Sequence, residues 1–211
     1  LDNQSNLFFG LGQASRVPDA RELYFKKNNM MVVPTAIVTN GNDQLKDTTN
    51  REIDFGYELK NDSINFKVKG FYSDLKDYIY YNGMTFSNID AKVYGAEVSS
   101  EYFLNDTVTV NGSASYKRGK KKDGATDTDL ADIAPLRANV GVTYEYANNS
   151  TLSGEVVMSD AWDTFDSSAK EQELAGWAVL NLKVKHAFGK TVDLTVGVNN
   201  IFDATYAQSN T

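Results

Sequence analysis

From Thr107 to Lys117 the chain alternates without a break. Val108, Val110, Gly112, Ala114 and Tyr116 fall on one face, and Thr107, Thr109, Asn111, Ser113, Ser115 and Lys117 on the other. The same split recurs in Arg137–Ala147, where Ala138, Val140, Val142, Tyr144 and Tyr146 oppose Arg137, Asn139, Gly141, Thr143 and Glu145. It recurs in Thr191–Asn199 and in Glu52–Leu59. Successive side chains of a strand point to opposite faces, whereas a helix needs apolar spacings of three and four. These stretches are therefore strands with one apolar and one polar face.

Turn residues punctuate them at a steady interval. Asn61-Asp62-Ser63, Asn105-Asp106-Thr107, Asn148-Asn149-Ser150 and Gly189-Lys190 lie 41 to 44 residues apart and have the composition of tight hairpins. Longer polar connections fall between them at 15–49, 81–88, 118–134 and 162–174. Nine strands are predicted, near 6–14, 50–60, 63–80, 89–104, 107–118, 135–147, 150–161, 176–188 and 190–202.

Most of these strands exceed the roughly 5–6 residues usual in a soluble sandwich and match the roughly 9–11 that cross a bilayer at a tilt. The apolar face is nearly free of charge, while the other mixes Glu, Asp, Lys, Arg, Asn, Ser and Thr, which suits a wet lumen. Tyr57, Tyr102, Tyr144, Tyr146 and Phe188 lie on the apolar face close to a short turn, as an interfacial aromatic girdle would. The fold class expected is all-β: an antiparallel transmembrane β-barrel segment with short turns at one rim and long loops at the other. A mean hydropathy of -0.43 does not oppose it, because alternation averages the lipid face with the lumen face. A closed single-chain bacterial barrel has an even strand count. Nine strands, with neither a leader at Leu1 nor a closing element after Asn200, read as part of a larger barrel.

Composition removes other classes. There is no Cys, so no disulfide scaffold, thiolate metal site or cysteine nucleophile is present. A net charge of -7 argues against a nucleic-acid partner. His186 is the only histidine and lies near Gly189 on the apolar face, a structural rather than a catalytic setting. No metal or catalytic motif of recognised spacing occurs. Asp127, Asp129 and Asp132 lack the spacing of a calcium loop. No enzyme activity and no cofactor are expected.

Several segments together resemble the C-terminal half of TonB-dependent outer-membrane receptors. They are Ser15-Arg16-Val17-Pro18 leading to Glu22-Leu23-Tyr24, and Gly41-Asn42-Asp43-Gln44-Leu45-Lys46 followed by Arg51-Glu52-Ile53-Asp54-Phe55-Gly56. Phe71-Tyr72 with Asp77 and Ile79, Tyr94-Gly95-Ala96-Glu97, and Gly197-Val198-Asn199-Asn200-Ile201-Phe202-Asp203 with Tyr206 complete the set. Asp43 stands where the family usually has Pro, and Asp47 where Pro-Glu is usual. The resemblance implies that residues 1–211 form one piece of a roughly 22-stranded barrel, with the plug domain, the TonB-contacting segment and the last strand lying elsewhere. It implies short periplasmic turns, long extracellular loops, a place in the bacterial outer membrane, and import of a metal chelate such as a ferric siderophore through coupling to TonB. A copper receptor and a passive porin-like channel are the alternatives.

Ligand-contacting candidates fall in the loops. Arg16, Arg21, Lys26 and Lys27 suit an anionic chelate, and the thioethers of Met30 and Met31 suit Cu(I). Tyr80, Tyr81, Met84 and Phe86, with Tyr78, form either an aromatic platform for ligand or an outer girdle. The run Lys117-Arg118-Gly119-Lys120-Lys121-Lys122 offers contact with lipopolysaccharide or a solvated loop, and outer-membrane lipid is the partner of the apolar face. Asp163, Asp166, Glu171 and Glu173 give loop 162–174 an acidic tone and no further role.

Overall fold

The computed structural model describes residues 4–28, 37–39, 41–122 and 128–209, with the backbone alone for 27, 28 and 37–39. Nine long strands form one antiparallel sheet. They are β1 (Ser5–Arg16), β4 (Thr48–Lys60), β5 (Ile64–Tyr81), β6 (Phe86–Asn105), β7 (Val108–Lys121), β8 (Arg137–Ala147), β9 (Ser150–Ser159), β10 (Trp177–Phe188) and β11 (Val192–Val198). Their order in space is their order in sequence, a continuous up-and-down meander. The connection from β1 to β4 carries a short helix, α1 (Ala20–Tyr24), and a small antiparallel pair, β2 (Lys26–Asn28) with β3 (Ile37–Thr39).

From the short-turn end through the middle of the sheet, the register keeps the two faces separate. Leu7, Phe9 and Leu11 of β1 stand opposite Tyr57, Phe55 and Ile53 of β4. Val140, Val142 and Tyr144 of β8 stand opposite Val156, Gly154 and Leu152 of β9. On this outer face large apolar side chains are open: Phe9 is 68% exposed and Val196 58%. Water-soluble monomers rarely leave so continuous an apolar sheet face bare, whereas the outer wall of a transmembrane barrel does.

The opposite, inner face is a polar network. Lys67 pairs with Glu58 at 2.5 Å and Lys69 with Asp54 at 3.1 Å, both between β5 and β4. Asn65 donates to Glu101 at 2.9 Å, Asn139 to Glu155 at 2.6 Å, and Lys185 pairs with Asp193 at 3.0 Å. Cross-strand pairs of this kind fix register, because a slip of one residue would turn every charge into the lipid.

Tight turns close one end of the sheet. Asn61 Oδ1 accepts the backbone N–H groups of Ser63 and Ile64 at 2.9 Å each, and Asn105 Oδ1 does the same for Thr107 and Val108. Such side-chain mimicry of a backbone turn is why Asn recurs there. The same chemistry corrects an expectation at the other end. Segment 81–88 is no long loop: Asn82 Oδ1 accepts from Met84 and Thr85 at 3.0 and 2.9 Å, and Gly83 adopts φ +81. Strands β5 and β6 thus run on to 18 and 20 residues, past the length a bilayer needs.

Candidate functional site: the long-loop end

One residue determines which way the top of β5 faces. Asp77 sits at φ +53 in a bulge between Leu75 and Tyr78. Below it, Tyr72 lies on the outer face; a regular strand would put Tyr78 and Tyr80 there too. The extra residue reverses the parity, so Tyr78 and Tyr80 point inward beside Ile89 and Ala91. Three neighbours hold the bulge. The Asp77 carbonyl accepts from Thr48 Oγ1 at 3.0 Å and Asn88 Nδ2 at 2.7 Å, while its N–H donates to Asp90 Oδ1 at 3.1 Å.

Tyr80 then becomes the centre of a small core closed by two loops. Tyr80, Ala91 and Leu130 are buried together, with Leu75, Tyr78, Val93, Ile133 and Ala169 around them. The phenol donates to Asp166 Oδ2 at 2.5 Å and meets Ser168 Oγ at 2.8 Å. Lys121 Nζ reaches the same Asp166 oxygen at 3.0 Å and lies 4.9 Å from the centre of the Tyr80 ring. Asp166 also caps a turn of 3₁₀ helix (Ser167–Ala169), accepting from Ser168 N at 3.0 Å. Glu171 joins the two loops: its carboxylate accepts from Asp166 N and Asp132 N, each at 2.8 Å.

Burial works to raise the Asp166 pKa, but hydrogen bonds from Ser168, Tyr80 and Lys121 outweigh it and hold the carboxyl below its ordinary range. Burial, with the Asp166 hydrogen bond, pushes the Tyr80 phenol up. Burial opposes the Lys121 charge, yet the Asp166 contact prevails and raises that pKa as well. The cluster is therefore an ionised, paired clasp at neutral pH. Asp166 and Glu171, expected to supply only acidic tone, are its central groups.

The structure disperses the other candidates. Arg16 forms a two-pronged ion pair with Glu22 at 2.8 and 2.9 Å, and Glu22 also closes a capping box with Asp19 at the start of α1. That pairing raises the Arg16 pKa and commits the cation to the fold. Arg21 lies over the Phe25 ring at 5.6 Å, and Lys26 is exposed at the start of β2. The Lys27 side chain, Met30 and Met31 lie outside the described residues. The aromatic group expected at the top of β5 is split: Tyr80 is buried inward, Tyr81 and Phe86 pair at 4.8 Å on the other face, and Met84 is 70% exposed at the turn. No single platform brings them together.

The basic run is divided as well. Lys121 belongs to the inner clasp, and Lys117 lies 5.9 Å from the Phe71 ring centre. Arg118 and Lys120 share Asp129 at 3.4 and 2.8 Å, Arg118 stacks on Trp162, and Lys122 pairs with Asp74. Residues 128–130 pair back onto β7, which brings Asp129 there and takes it out of any acidic triplet. Asp127 lies outside the described residues. At the short-turn end Tyr102, Tyr144, Tyr146 and Phe188 are exposed on the outer face, with Tyr57 half-buried against Phe66.

Among the described residues no group of three or more His, Asp or Glu side chains is placed to hold a metal ion. On the inner face a hollow of about 360 Å³ is lined by Lys67, Lys69, Glu97, Ser113 and Arg137 among others. Val98, Ala114, Ala138 and Val157 complete its wall, so charged and apolar side chains share it.

A sheet bare and apolar outside, charged inside, with tight turns at one rim and packed loops at the other, defines a section of transmembrane β-barrel wall. The sequence matches the family model "TonB dependent receptor-like, beta-barrel" over residues 1–201, and the chain belongs to that family of outer-membrane transport receptors. No curated protein matches it. Among solved structures it is similar to "Copper transporter OprC", with a TM-score of 0.83 and 26% identity over 100% of this chain and 33% of that one. It is also similar to the ferric-catecholate import receptor Fiu of E. coli K12, at TM-score 0.71 and 14% identity over 99% and 30%. The unliganded ferric citrate transporter FecA gives 0.74 and 16% over 98% and 32%. The chain spans about a third of the length of each.

Proposed function

We propose that this chain forms wall and mouth of an outer-membrane receptor that imports a metal-bearing nutrient with energy relayed through TonB, and that the metal is copper. The observation that carries the choice of cargo is the likeness to the copper transporter, at 26% identity, against 13% to 18% for the iron and ferric-chelate receptors. Met30 and Met31 supply soft thioether donors in the longest connection, the type that selects Cu(I). A ferric siderophore is the second reading, favoured by the cations of that connection. Two of those cations are engaged within the fold, Arg16 with Glu22 and Arg21 with Phe25, which weakens it. TonB contact belongs to the part of the receptor outside this segment, and lipid and lipopolysaccharide are the neighbours of the outer face.

The test compares cells expressing the full-length receptor with cells lacking it, under copper starvation and under iron starvation with ferric siderophores supplied. Growth and metal content restored by copper alone supports the proposal. Rescue by a ferric chelate alone overturns the copper assignment and leaves the importer reading standing.

A further inference from the structure

On the outer face of β8 to β11 the register places aliphatic residues, Gly154, Met158, tyrosines and Phe188, with the buried Ser150 and the ring of His186 as exceptions. His186 stands opposite Leu194, three residues before Gly189 in the tight β10–β11 turn, at the short-turn rim of the sheet. Its ring is fixed. The Tyr146 hydroxyl meets His186 Nδ1 at 2.9 Å, the two rings stack at 6.0 Å and 8°, and Phe188 abuts the imidazole edge-on at 4.5 Å. The hydroxyl also reaches the Lys185 carbonyl, at the longer distance of 3.3 Å. Where the hydroxyl donates to Nδ1, the ring's hydrogen lies on Nε2.

A ring nitrogen in hydrocarbon without a partner is costly. At this depth the partners on offer are lipid headgroup oxygens. Lys190, exposed in the adjoining turn, adds a cation that selects an anionic group among them. We infer that His186, held by Tyr146 and helped by Lys190, is a headgroup site for the phosphate of a glycerophospholipid in the leaflet at the short-turn rim. The inference rests on the barrel fold and is independent of the cargo.

The test counts lipid bound to the full-length receptor by native mass spectrometry in mild detergent, with phosphatidylglycerol as the probe. The wild-type receptor is expected to retain a lipid that His186→Phe, which keeps the ring between Tyr146 and Phe188 but removes both nitrogens, retains about ten- to a hundredfold less, the worth of one hydrogen bond to a charged group. Tyr146→Phe, which frees the imidazole without altering the girdle, is expected to fall between them and reads the site if the first variant does not fold. Equal retention by wild type and either folded variant overturns the site. Displacement of the lipid by excess inorganic phosphate also overturns it, since the site would then take a soluble anion.

Discussion

The Tyr80 hydroxyl and the Asp166 carboxylate, 86 positions apart in sequence, meet at 2.5 Å and fasten the β9–β10 connection to the top of β5. Lys121 from β7 completes the contact, so three elements that share no short-range sequence signal are joined at one buried carboxylate.

Removing the phenol isolates that contribution. Tyr80→Phe keeps the ring in its core with Ala91 and Leu130 but takes a donor from a buried, charged acceptor, at a cost of about 1.5–3 kcal/mol. Faster hydrogen exchange is expected across residues 160–176 of the full-length receptor, with the β8–β9 hairpin unchanged. Unaltered exchange in that loop would contradict the clasp.

Acid should open the same contact. The Asp166 carboxyl is held below its ordinary value despite burial, by Ser168, Tyr80 and Lys121. A carboxylate with a depressed folded pKa contributes stability that is present above its unfolded value, about 3.9, and is lost as pH falls through the folded one. Protease cleavage within 160–176 is therefore expected to stay low at neutral and mildly acidic pH and to rise only below about pH 4. Asp166→Asn should remove that dependence and show raised cleavage throughout.

The bulge at Asp77 governs the direction of Tyr80. Its φ of +53 is tolerated by Asp, Asn and Gly and resisted by a β-branched residue, by about 1–2 kcal/mol. Asp77→Val is expected to loosen 160–176 as Tyr80→Phe does, while Asp77→Gly leaves loop exchange near wild type. Equal behaviour of the two would show that the bulge does not set the clasp.

Aromatic rings cover glycines across neighbouring strands: Phe8 over Gly56, Phe55 over Gly70 and Phe71 over Gly95. A Cβ at Gly70 would meet the Phe55 ring, whereas Gly12 has nothing within 4 Å. Gly70→Val should destabilise the barrel by about 1–3 kcal/mol through overpacking, read as a lower unfolding temperature. Gly12→Ala should leave it near wild type.

How much of this could be read from sequence depended on distance along the chain. The strands were legible because alternation is local, and all nine appear within a few residues of expectation. The Asn82-Gly83 turn was legible in principle, since Asn61 and Asn105 make the same turn; its place among loop-like residues concealed it. The facing of Tyr78 and Tyr80 was not, because one positive-φ residue inverts a parity that counting assumes constant. Asp166 and Glu171 resembled any acidic loop residues, since their partners Tyr80, Lys121 and Asp132 lie dozens of positions away. The basic run read as one patch, yet alternation sends its members to opposite faces and toward separate acids.

The most direct measurement is accumulation of radioactive copper by cells carrying the full-length receptor, with and without TonB. Uptake that saturates, exceeds that of receptor-free cells and vanishes when TonB is deleted is the result expected. Uptake of equal rate in cells without TonB would make the barrel a passive channel and contradict the account.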